Sequence, residues 1–180
     1  MSEMQPETRL LVARARLGDA KAFERLVHEY MPRLLWFVRR LGLPDGDADD
    51  VLQESWLVAW SKLNRLRNLR LSRSWLYGIT RNKAMQHLAR EKAREVPVAD
   101  IDPLDEPPEE SFFERYQPYL NQALGRLSLI HREVLALRFI EGMTYEEVAQ
   151  TTGATLGTVK SRLHNAKHAL RRELEVLTND

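Results

Sequence analysis

Three groups of side chains in this chain have the types and spacing to do chemistry on a charged partner. The first comprises Thr155, Thr158, Lys160, Ser161, Arg162, His164, Asn165 and Lys167. Hydroxyls, an amide and cations along one helical stretch are the groups that hold phosphates and contact base edges in the major groove. The second lies in residues 62–94, which hold ten bases and a single acid, Glu91. Arg65, Arg67, Asn68, Arg70 and Arg73 fall in a loop there, and Asn82, Lys83 and Gln86 on the helix that follows. A block of this kind suits a phosphate backbone. Trp75 and Tyr77 offer rings for stacking, but with Leu76 and Ile79 they fit a core better. The third group, Asp49, Asp50, Gln53 and Glu54, gives a polar, acidic helix face suited to a basic protein surface.

Catalysis and metal chemistry find no support. His28, His87, His131, His164 and His168 lack ligand spacing with acids, and cysteine is absent. A calcium loop beginning at Asp45 would need glycine at its sixth position and an acid at its twelfth; Asp50 and Trp56 stand there. The expectation is a chain without cofactor, metal or enzymatic activity of its own. No apolar run approaches the roughly 20 residues of a membrane span, and the polar start lacks the order of a signal peptide. Both features point to the cytoplasm.

These groups need helices to position them. Thr144 followed by Glu147 is a capping box that starts a helix. Ala149 allows close approach of a second helix, Gly153 supplies a positive φ at the end of the first, and Thr155 caps the second. Val159, Leu163, Ala166 and Leu170 then form an apolar stripe that turns the polar set outward. Residues 144–172 thus read as a helix-turn-helix. Upstream, residues 19–41 carry Phe23, Leu26, Val27, Tyr30, Leu34, Val38 and Leu41 at helical spacing, and residues 43–46 form a turn. Asp47 can cap a helix bearing Val51, Leu52, Trp56, Ala59 and Trp60, and Ser74 one that runs to about Lys92. Trp36, Trp56 and Trp60 are expected in the core.

The net charge of +1 conceals segregation: residues 45–54 hold five acids and no base, and residues 96–114 seven acids and no base. Residues 95–117 also contain four prolines and read as a linker. Helical pattern resumes near Tyr116, with breaks at Ser128, Gly142 and Gly153. The expected fold is all-α, with two small helical domains, 1–94 and 118–180, joined by a flexible acidic linker, 95–117.

Three motifs in order carry a family resemblance. Residues 127–149, beginning Leu-Ser-Leu-Ile-His-Arg-Glu-Val-Leu, and the later Gly157-Thr-Val-Lys-Ser-Arg-Leu resemble region four of bacterial extracytoplasmic-function sigma factors. Asp47-Ala-Asp-Asp-Val-Leu-Gln-Glu-Ser-Trp and Ser74-Trp-Leu-Tyr-Gly-Ile-Thr-Arg-Asn resemble region two. The resemblance implies a promoter-specificity subunit of core RNA polymerase. It implies that Asp49, Asp50, Gln53 and Glu54 meet the clamp helices of the largest subunit. It assigns the basic loop and helix to opening of the minus-ten element of promoter DNA. The helix-turn-helix would read the minus-thirty-five element and touch the polymerase flap. An anti-sigma factor covering both domains is implied as well. Two positions depart from the family pattern: Ser128 stands where proline is frequent, and Lys83 where an apolar residue is usual. The chain ends soon after Arg172, so no C-terminal sensing domain is expected and regulation comes from outside. The linker reads either as a solvated tether or as a nucleic-acid mimic threading the polymerase channel. A free-standing helix-turn-helix regulator is the alternative, and it needs neither the acidic helix nor the basic loop; a nuclease ranks last.

Overall fold

The computed structural model describes residues 6–66, 68, 69, 72–92 and 117–179. The candidate residues Arg67 and Arg70, and all of the linker but Gln117, lie outside these. The described residues contain no strand. Four helices build the first half: α1 (Pro6–Arg16), α2 (Ala20–Arg40), α3 (Asp45–Lys62) and α4 (Ser72–Lys92), with a 3-10 turn at Leu63–Arg65 after α3. The second half has α5 (Gln117–Arg126), α6 (Leu129–Leu135) continued by a π turn (Ala136–Ile140), α7 (Tyr145–Thr152) and α8 (Leu156–Asn179).

Local chemistry sets most of these boundaries. The Asp19 carboxylate accepts the Ala22 N–H at 3.1 Å and starts α2. That bond, and then the Arg14 guanidinium, hold its pKa below the usual value. Helix α1 had no counterpart in the sequence reading; it buries Leu11, Val12 and Ala15, and its Thr8 hydroxyl donates to Glu29 at 2.8 Å. Ser128 caps α6, as its residue type suggested.

Three expectations are corrected. Helix α3 begins at Asp45 rather than beyond Asp47, because the extended backbone of Pro44 launches it without a side-chain cap. Asp45 and Asp47 instead sit in the first turn, where the helix dipole favours acids. Helix α4 begins at Ser72, two residues before Ser74; the Ser74 hydroxyl is buried and donates to Gln150 Oε1 at 2.7 Å. Trp60 is 42% exposed, not core: it lies at the edge of the α3 stripe, 4.7 Å from the Phe23 ring.

The first half closes over Leu34, Phe37, Val38, Leu52 and Tyr77, and the second over Leu137, Met143, Val148 and Val159, all fully buried. Each large aliphatic or aromatic side chain so buried contributes roughly 1.5–3 kcal/mol. The two halves also pack on each other, α4 along α7. At Gly78 a Cβ would already touch the Thr151 carbonyl oxygen at 3.6 Å, so this position lets the helices approach. The Thr151 hydroxyl donates to the Ser74 carbonyl at 3.3 Å. Arg81 makes a two-pronged ion pair with Glu133, whose side chain is fully buried. Arg73 and Arg33 both reach Glu141, at 3.5 and 3.4 Å. Burial raises the Tyr77 phenol well above 10 and pushes the Tyr30 phenol up to about 12.

Candidate nucleic-acid interface

The helix-turn-helix is built as its residues dictate. Thr144 Oγ1 accepts the Glu147 N–H at 3.2 Å, and the Glu147 carboxylate accepts the Thr144 N–H at 2.8 Å. Both halves of the capping box are therefore made. Gly153 closes α7 at φ +68°, and its N–H donates to the Ala149 carbonyl. Thr155 Oγ1 accepts the Thr158 N–H at 3.2 Å and caps α8. The stripe of Val159, Leu163 and Ala166 is buried, and Leu170 packs partly against it.

With that stripe inward, Thr155, Lys160, Ser161, His164, Asn165 and Lys167 are exposed, and Thr158 and Arg162 are half-buried. Seven of the eight remain together within the first three and a half turns of α8, with Thr155 at its cap. An aromatic and cationic cluster supports the far end: Lys167 Nζ lies 5.0 Å over the Phe139 ring, and Arg138 5.4 Å over Tyr145. Arg138 also donates to the Met143 carbonyl at 2.9 Å, fastening the π turn to the start of α7.

The basic surface of the first half is less uniform. Arg65 and Asn68 are exposed, as are Asn82 and Gln86, which share one face of α4 four residues apart. Lys83 is half-buried, and its Nζ donates to Glu54 Oε2 at 2.8 Å. That bond holds the Glu54 pKa below its ordinary value. Arg73 lies in the first turn of α4, not in a loop, and is buried against Glu141. In this arrangement its guanidinium faces the other half of the chain.

On α3, Asp49, Asp50, Gln53 and Glu54 are all exposed along one face. That face continues into Leu57, 71% exposed, and Trp60. The sequence reading missed both as surface residues. Their signal was their register, since positions 53, 57 and 60 follow the i, i+4, i+7 rule of a single helix face. Among the described residues, no three His, Cys, Asp or Glu side chains converge as metal ligands, and no helix is long and apolar enough to cross a membrane.

The family model for sigma-70 region 2 matches residues 26–94, and that for sigma-70 region 4 matches residues 123–172. The chain is 31% identical to the ECF RNA polymerase sigma-E factor of Salmonella typhimurium and 30% identical to that of Escherichia coli K12, each alignment covering 98% of both chains. It is 30% identical to the RNA polymerase sigma-H factor of Pseudomonas aeruginosa, again over 98% of both. Among solved structures, CnrH in complex with the cytosolic domain of CnrY matches with a TM-score of 0.68 and 27% identity, over 94% of this chain and 98% of that one. The sigma factor RpoE of Bartonella quintana, in complex with the anti-sigma factor NepR, matches with a TM-score of 0.67 and 28% identity, over 87% and 99%. The chain belongs to the extracytoplasmic-function branch of the sigma-70 family and is a promoter-specific transcription initiation factor.

Proposed function

We propose that the two halves divide promoter recognition, α8 reading the minus-thirty-five duplex and the face of α4 with its preceding loop engaging the minus-ten element. Residues 1–94 and 118–180 are the working units, the acidic linker joins them, and the chain is non-catalytic. It works in the cytoplasm on core RNA polymerase, whose clamp helices meet Asp49, Asp50, Gln53 and Glu54 while the flap meets the second half. The carrying observation is the outward polar face of α8, fixed by a complete capping box and a glycine cap over a buried stripe. An anti-sigma factor is the regulating partner, supported by the complexes in which the similar sigma factors are seen.

Distance supports a promoter-bound form in which the halves separate. Elements about 25 base pairs apart lie roughly 85 Å apart at 3.4 Å per pair. The 24 residues between Lys92 and Gln117 have a contour of at most about 86 Å, so the linker's full reach matches that span. Separation also releases Arg73 from Glu141 for DNA.

Arg162→Ala should cost roughly 1–3 kcal/mol of upstream-element recognition while leaving polymerase association intact. Asp50→Lys with Glu54→Lys should do the reverse. Equal promoter discrimination by Arg162→Ala and the native chain would remove the α8 assignment.

A further inference from the structure

Most charged groups between the two halves are matched: Arg81 with Glu133, and Arg73 and Arg33 with Glu141. Among the described residues, one place between the halves is not. Arg40, at the end of α2, and Arg132, on α6, face the same seam from opposite halves. Arg40 is only 4% exposed, lies 4.8 Å over the Trp36 ring, and donates through Nη2 to Asn121 Oδ1 at 2.6 Å on α5. Its Nε is buried and has no acceptor among the described residues. Arg132 is half-buried, and its buried Nε and Nη1 also lack an acceptor there. Its Nη2 would meet a Cβ on Gly42, after α2, at 3.7 Å. Neighbouring Arg39 and Asp45 are engaged with each other at 2.8 Å.

A buried and a half-buried like charge, with open donors and no paired carboxylate among the described residues, are electrostatically unfavourable, and separating the halves relieves them. Burial and the charge of Arg132 together lower the Arg40 pKa to about 10, in keeping with that crowding. Planar, forked N–H groups without an acceptor on both sides of one seam are also the donor type that fits a tetrahedral or planar oxyanion. We propose that Arg40 and Arg132, the first held in place by Asn121, form a site for a small free oxyanion of the phosphate class, whose binding holds the two halves together. An anion bound only when both arginines are present stabilises the packed arrangement by simple linkage. This holds whatever the promoter contacts turn out to be, because its readout is the distance between the halves.

The test uses the full chain. Cysteines placed at Glu24 and Arg171, both exposed and in opposite halves, report the distance through spin labels, since the chain has no cysteine of its own. Inorganic phosphate is titrated at constant ionic strength against sodium chloride. The proposal expects the packed population to rise and saturate with phosphate; no rise, or an equal rise with chloride alone, overturns it. Arg132→Gln should be packed without phosphate, because the repulsion is gone, and should lose the phosphate response. If it keeps the native midpoint, the site is elsewhere. Arg132→Lys retains the charge and guards against misfolding of the glutamine variant. Its midpoint should rise about tenfold, because an ammonium cannot form the bidentate contact; an unchanged midpoint also overturns the assignment.

Discussion

Arg81 and Glu133 join the two halves through an ion pair that behaves differently depending on which partner is removed. Glu133 is completely buried, whereas the Arg81 side chain keeps 20% of its exposure. Arg81→Ala strands a carboxylate in the packed interface. Breaking a buried pair in this way costs about 3–5 kcal/mol, and the partial wetting of this pair places it near 3. Separation of the halves hydrates Glu133, so the loss appears as opening rather than unfolding. About 3 kcal/mol shifts the packed-to-open ratio by roughly two orders of magnitude. Glu133→Ala leaves only the half-wet guanidinium and should cost about 1 kcal/mol. Arg81→Met with Glu133→Leu, which replaces the pair by apolar volume, should pack as well as the native chain or better. Spin-label distances between positions 24 and 171 across the double-mutant cycle of Arg81→Ala, Glu133→Ala and the two combined provide the measurement, with each half's secondary structure followed by circular dichroism. A distance distribution unchanged in Arg81→Ala, or coupling near zero in the cycle, would refute the reasoning.

Other consequences follow from the same geometry. Gly78→Leu should open the halves without touching any charge, because the Thr151 backbone occupies the space beyond a Cβ; small-angle scattering should show a larger radius of gyration. Thr144→Ala removes half of the capping box and should destabilise α7 by about 1 kcal/mol, read as roughly fivefold faster amide exchange at Glu147. Tyr30 gives a pH signature. Its phenol titrates near 12 when folded and near 10 when unfolded, so the folded state binds more protons between those values and stability falls as pH rises. The loss should be about 1.4 kcal/mol by pH 11, and Tyr30→Phe should remove that portion of the slope in denaturant titrations at pH 9 and 11.

Amphipathic period and capping residues made much of this molecule legible in the sequence. Helix α2 and the helix-turn-helix appear where Asp19, Thr144, Gly153 and Thr155 place them, because those residues satisfy backbone groups locally. Local chemistry also misled. Asp47 and Ser74 are good caps by type, but Pro44 and Ser72 stand where the helices begin. Helix α1 was missed because its short apolar set, Leu11, Val12 and Ala15, is interleaved with arginines. The packing of the halves had no sequence signal. Arg81 and Glu133 are 52 positions apart, Arg73 and Glu141 68 apart, and each taken alone resembles a solvated charge. Arg73 shows the consequence: its place in a basic block pointed to DNA, while the fold buries it against an acid.

Transcription from a promoter-bearing template by core RNA polymerase, with and without this chain, tests the central claim most directly. The expected result is a run-off transcript that requires both proteins and both promoter elements, and that is lost with Asp50→Lys and Glu54→Lys together. Tight duplex binding by the chain alone, with no transcript from the combined proteins, would contradict the division of labour between α3, α4 and α8.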